Sequence, residues 1–188
     1  MPTWSLDDLC LETPRLLLRV PRLDDLEPWA AMMADPGVAR FIGGVMAPAM
    51  TWRTLMVMIG AWHAHGFAMF SVIEKESGRW IGRLGPWQPG GESGNWPGTE
   101  VGWGLRASAM GKGYAQEGSI AAIDWAFDTL GWDEVIHCID KDNAPSIALA
   151  LRLGSKLQRR GVPLPAPIDD HTVDIYGQSR AEWKARSR

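Results

Sequence analysis

A chain of 188 residues, 46% apolar, is long enough to close a sizeable hydrophobic core and short enough for one domain over residues 1–188. Its 19 Lys and Arg against 22 Asp and Glu leave a formal charge of −3, which argues against nucleic acid as a partner, since such binders show a basic patch or stripe. No basic segment followed by an apolar run opens the chain, no apolar stretch is long enough for a bilayer, and Cys10 and Cys138 lack disulfide or zinc spacing. The expectation is a soluble cytoplasmic protein with no membrane contact.

In chain order, Leu16 to Val20 reads as a short strand after Pro14, and Asp24-Asp25 precede a helical run through Trp29, Met32 and Met33. A second helix fits Thr51 to His63, where Trp52, Leu55, Met56, Ile59 and Trp62 recur at three- and four-residue steps. Strand-like runs follow at Phe67–Ile73 and Trp80–Leu84, separated by a polar turn. Gly85 to Thr99, crowded with Gly, Pro and Trp, reads as a long exposed loop. Glu100 to Leu105 is a strand with two glycines, which mark a bulge or a close ligand. Helices are predicted from about Gly113 to Leu130, stopped by Gly131, and from Asn143 to Leu153, stopped by Gly154. Strands fit Glu134–Ile139 and His171–Tyr176. The eleven tryptophans read mainly as core or cleft lining.

The strongest chemical signal lies between Leu105 and the following helix. A loop with two glycines, Gly111 and Gly113, running into a helix N-terminus presents free N–H groups and a partial positive charge, which suits phosphate or pyrophosphate. A P-loop fails because Arg106 and Gly113 stand at its two ends, and a strict dinucleotide fingerprint fails because Gln116 takes the third glycine position. Gly102-x-Gly104-x-x-Ala107 matches that fingerprint loosely. With Asp140 gripping a ribose, it would prefer NAD, but several strands precede it where the fingerprint follows the first. A glycine-rich turn without a ligand is the plainest alternative.

The segment Gly111-Lys112-Gly113-Tyr114-Ala115-Gln116-Glu117 resembles the pyrophosphate loop of the GNAT acetyltransferases, Gln/Arg-x-x-Gly-x-Gly/Ala. Gly113 and Ala115 fill its last two defined positions, and Met110 stands where Gln or Arg is usual. Asn143-x-x-Ser146 followed by Leu153-Gly154 resembles a segment of the RimJ/RimL-type branch, with Ser155 replacing a Phe. Leu11 to Arg19 is similar to that branch's opening strand, and Ile81-Gly82-Arg83 matches as well, so the resemblance runs along nearly the whole chain.

The resemblance implies an α/β (α+β) fold. Its central sheet is mixed and mostly antiparallel, flanked by helices and splayed between the strands starting at Glu100 and Glu134. It implies acetyl transfer from acetyl-CoA to a primary amine of a small molecule or of a peptide or protein N-terminus, with no metal, and it allows a homodimer. Leu105, Arg106, Met110, Gly111, Lys112, Gly113, Tyr114, Ala115, Asn143 and Ser146 become the acetyl-CoA contacts. A backbone N–H near Trp103 and Gly104 becomes the oxyanion donor.

Glu100 is the favoured base, against an exposed strand-end carboxylate as the alternative. Ser146 is the candidate acid and Asn143 either a ligand contact or a helix cap. The family's Tyr acid, seven residues beyond the Asn, is here Ala150. That absence, with Met110, leaves a non-catalytic acyl-CoA-binding regulatory domain as the alternative. For the acceptor, the helices rich in Trp and Met (Trp52, Met56, Trp62) and a late loop with Asp169 and Asp170 would suit a cationic amine, although such residues at helical spacing are more often core. His63, His65, His137 and His171 lack ligand spacing.

Overall fold

The computed structural model describes residues 9–89, 95–166 and 171–186. The Asp169 and Asp170 acceptor reading therefore lies outside the described residues. The first half of the chain gives β1 (Cys10–Glu12), β2 (Leu16–Arg19), α1 (Leu26–Met33), α2 (Pro36–Ala39), α3 (Pro48–His65), β3 (Phe70–Glu74) and β4 (Trp80–Trp87). The second gives β5 (Glu100–Leu105), α4 (Tyr114–Asp128), β6 (Glu134–Ile139), α5 (Ala144–Arg152), β7 (Lys156–Pro163), β8 (Thr172–Ser179) and α6 (Arg180–Ala185). The strands form one sheet in the order β1-β2-β3-β4-β5-β6-β8-β7. β5 and β6 run parallel, whereas β1/β2, β2/β3, β3/β4, β6/β8 and β7/β8 are antiparallel. This is the mixed, mostly antiparallel sheet with flanking helices that the sequence resemblance implies.

The chain forms two compact units, Met1–Gly85 with Trp103–Ala122, and Pro86–Gly102 with Ile123–Arg188. In the first, alternation along β2 buries Leu16 and Leu18, and β3 adds Phe70 and Val72. Helix α3 starts with Pro48 in its first turn and ends at Gly66, whose φ of 78° is left-handed. It buries Thr51, Leu55, Met58 and Trp62, a stripe at steps of four, three and four residues. Trp62 packs on Phe70 at 4.9 Å between ring centroids and donates its indole N–H to Met69 O at 3.2 Å. Trp52 lies off the stripe and is 48% exposed, so the sequence periodicity assigns it to the wrong face if it is read as core.

Asp25 is the buried polar anchor of this unit. It accepts from Arg19 Nη1 and Nη2 at 2.8 and 2.6 Å, Ser71 Oγ at 2.7 Å and Arg22 N–H at 2.8 Å. Four donors satisfy a charge that would otherwise be costly to bury.

In the second unit, β6 and β8 pair along their length, and Ile136, Val173, Ile175 and Leu164 form a small core. Trp96, Cys138 and Val162 pack against it. Helix α6 opens with a capping box between Ser179 and Glu182. It buries Trp183, which lies 6.3 Å from Phe127 and donates to Asp124 at 2.8 Å. β4 runs on to Trp87, so the predicted loop from Gly85 starts too early. The described helices include none long and apolar enough to cross a membrane.

Candidate active site

In the second unit, β5 and β6 begin as a parallel pair and then part. Ile136 N–H donates to Thr99 O at 2.9 Å, and the register holds only at Glu100 opposite Ile136. A continuing ladder would next join Cys138 N–H to Val101 O. Side chains take both of those groups instead. Cys138 N–H donates to Glu100 Oε1 at 3.3 Å, and His137 Nδ1–H donates to Val101 O at 2.6 Å. This is the splay expected between the strands starting at Glu100 and Glu134.

Glu100 itself is only 6% exposed, which rules out the exposed strand-end carboxylate. Its Oε2 accepts the indole N–H of Trp96 at 2.7 Å. His137 is fully buried; burial is the main cause holding its pKa down at about 4, against the smaller opposing effect of its bond to Val101. The ring is therefore neutral, and with Nδ1–H engaged, Nε2 accepts from Ser155 Oγ at 3.1 Å. Ser155 in turn accepts from Gln178 Nε2 at 2.9 Å. Burial, and then the neighbouring Glu100 charge, push the Cys138 thiol up, so it stays protonated and is no nucleophile at neutral pH.

In the first unit, a loop joins β5 to α4. Arg106 N–H closes onto Ile81 O at 2.9 Å, and a short helical turn spans Ala107–Ala109. Gly111 and Gly113 then turn the chain with φ of 73° and 81°, which only glycine adopts without strain. The first helical bond runs from Glu117 N–H to Gly113 O, leaving the N–H groups of Tyr114, Ala115 and Gln116 ahead of the ladder. Lys112 is exposed on the loop, and so is Met110. Tyr114 donates its hydroxyl to Glu74 Oε1 at 2.6 Å. That bond raises the Tyr114 pKa above its ordinary value; Glu74 is lowered first by Ser77 and then by Tyr114.

A glycine-turned loop opening a helix is an anion site of several families, and comparison with known proteins decides among them. The model of the acetyltransferase (GNAT) domain matches residues 15–156. The chain belongs to the GNAT acetyltransferase family.

A GNAT relative, the uncharacterized N-acetyltransferase p20 of Bacillus licheniformis, is 30% identical over 141 residues, covering 74% of this chain and 78% of that one. The crystal structure of an acetyltransferase from Agrobacterium tumefaciens str. C58 superposes with a TM-score of 0.78 at 26% identity, covering 96% of this chain and 99% of that one. Mycobacterium smegmatis RimJ in complex with CoA-disulfide has the same fold, with a TM-score of 0.72 at 17% identity over 92% of this chain and 85% of that one. Membership of the GNAT family makes the chain an acyltransferase that uses acetyl-CoA.

Against the GNAT reading of the sequence, Asn143 caps α5, its Oδ1 accepting Ser146 N–H at 3.3 Å. Ser146 is half-buried in the first turn of that helix. Ala150 is fully buried, so the position of the family's Tyr offers no hydroxyl. Glu100, Asn143 and Ser146 fall in the second unit, while Trp103, Leu105, Arg106, Met110, Gly111, Lys112, Gly113, Tyr114 and Ala115 fall in the first. Sequence reasoning did not find Trp96 or His137. Trp96 sits in a Gly- and Pro-rich stretch, where its spacing of four from Glu100 signals nothing outside a helix. No three of the His, Cys, Asp and Glu among the described residues gather as metal ligands.

Proposed function

We propose that this chain transfers the acetyl group of acetyl-CoA to a primary amine, on a small molecule or a peptide or protein N-terminus, by direct attack of the amine on the thioester. The observation that carries the reading is Glu100, a carboxylate buried at the head of β5 and held at both oxygens, by Trp96 and by Cys138 N–H. An attacking amine must lose a proton, and a fixed carboxylate is a suitable base for it, directly or through one water. Nothing in the described residues supplies a second base of that kind at this strand, since His137 Nε2 already accepts from Ser155.

The pyrophosphate would lie against the loop Arg106–Ala115, drawn by the N–H groups that open α4, the helix dipole and Lys112. Because backbone amides serve as donors, Met110 in place of Gln or Arg removes one polar contact and leaves the rest. A backbone N–H near Trp103 and Gly104 is proposed to meet the oxyanion developing on the thioester carbonyl. Asn143 and Ser146 are assigned to the pantetheine arm at the start of α5. Ser146 would protonate the departing thiolate, because the Tyr of other members is replaced by Ala150. The Trp- and Met-rich helices, with Trp52 exposed, support an acceptor site on that face for the amine.

The test is release of free CoA thiol with a panel of primary amines and N-terminal peptides, for the wild type and Glu100→Gln. The expected result is a kcat about 100-fold lower in the variant with CoA affinity nearly unchanged. Equal losses in turnover and affinity would remove Glu100 as base. Tight CoA binding with no transfer to any amine would instead favour the regulatory, non-catalytic reading.

A further inference from the structure

The turn between β1 and β2 lies far in sequence from the loop before α4 and touches Lys112, Tyr114 and Glu117. Arg15 Nη1 donates to Lys112 O at 3.0 Å, in the middle of the loop. Arg15 Nε donates to Glu117 Oε2 at 2.6 Å, in the first turn of α4. The guanidinium lies 4.5 Å from the centroid of the Tyr114 ring, and a Cβ built on Gly113 would sit 3.4 Å from Nη2. The turn is held from the same carboxylate a second time, because Glu117 Oε1 accepts Thr13 Oγ1 at 2.6 Å and Arg15 N–H at 2.8 Å. On its other side Lys75 fixes it, donating its backbone N–H to Arg15 O and its ammonium to Thr13 O.

Two physical consequences follow. A Gly-x-Gly loop loses more backbone freedom on ordering than any other sequence, so free it would bind phosphate weakly. A guanidinium that spans Lys112 O, Tyr114 and Glu117 holds the loop in one conformation, which lowers that cost. Moreover, a carboxylate in the first turn of the helix opposes an anion at that end. Arg15 offsets the charge of Glu117 where it matters.

We infer that Arg15, through its clasp on Lys112 O and Glu117, is a positioning residue that pre-sets the loop for the phosphates of acetyl-CoA. The inference rests on the loop being the acetyl-CoA phosphate site. Arg15 acts by geometry, and Lys, which carries the charge without the planar fork, cannot hold Lys112 O and Glu117 together.

The experiment is calorimetric binding of CoA and of pantetheine, which lacks the phosphates, to the wild type, Arg15→Gln, Arg15→Lys and Glu117→Gln. Wild type should prefer CoA, and Arg15→Gln should cut that preference about tenfold while leaving pantetheine binding unchanged. Arg15→Lys should resemble Arg15→Gln. Glu117→Gln, nearly isosteric, breaks the clasp while removing the charge that opposes the phosphates. A weaker preference in it supports the clasp, and a stronger one overturns it in favour of charge. Unchanged pantetheine binding in each variant guards against misfolding. A wild type that prefers CoA and an Arg15→Gln protein that keeps the full preference would overturn the inference alone. Full rescue by Arg15→Lys would also overturn it, in favour of simple charge. A wild type with no preference for CoA would overturn both the inference and the loop reading beneath it.

Discussion

His137 is buried, and its neutral ring ties the end of the β5/β6 ladder to the stability of the fold. His137 holds Val101 O where the parallel ladder stops, and it can do so while accepting from Ser155 only if its Nε2 carries no proton. Its folded pKa, about 4, lies below the ordinary 6.5. Between those two values the unfolded chain binds a proton that the folded chain refuses, so stability falls as pH drops through that window. The loss attributable to this ring is complete below about pH 4 and amounts to something on the order of 3 kcal/mol. Urea unfolding at pH 7 and pH 5 should show a smaller decrease for His137→Gln than for the wild type. Equal decreases would place the pH sensitivity elsewhere.

At the scale of elements, close strand approach and turn geometry ask for glycine for different reasons. Gly82, in β4, faces β5 so tightly that an added Cβ would sit 2.4 Å from Gly104 O and 2.8 Å from Leu105 Cα. Backbone cannot yield as a flexible side chain can. Gly78, in the turn before β4, has a φ of 66° and open space around it. Gly82→Ala should therefore cost about 3 kcal/mol or more, and Gly78→Ala only about 1 kcal/mol of backbone strain. Thermal melting of the two variants measures the difference, and similar midpoints would mean that β4 and β5 can separate without penalty.

The same contrast explains what was legible in the sequence. β6 was readable to its ends because Val135, Ile136 and Ile139 are β-branched and lie between Asp133 and Asp140. α5 was readable because Asn143 and Gly154 mark its two ends. β7 was not, since Lys156 to Gly161 is exposed on both faces and shows no alternation. α6 was too short to show a period, though its Ser179-x-x-Glu182 box was in plain view. The turn before α4 was legible from Gly111 and Gly113, and the burial of Glu100 was not, because it depends on Trp96 and on the end of a ladder.

Across the whole molecule, the division into two units does not divide the sequence cleanly. β4 changes unit after Gly85, β5 after Gly102 and α4 after Ala122, so each of these elements belongs partly to both. The acetyltransferase domain match from residue 15 to 156 likewise runs through both without a break. Because these three elements are each shared between the units, we propose that residues 1–188 behave as one cooperative domain. Scanning calorimetry should give one transition. CoA at 100 times its dissociation constant should raise that transition by roughly 5–10 °C, because about 2.7 kcal/mol of binding energy is added to a chain of this length. NAD at the same concentration should leave it in place. Two resolved transitions, with only one moved by CoA, would show that the units fold separately and that the ligand is held by one of them.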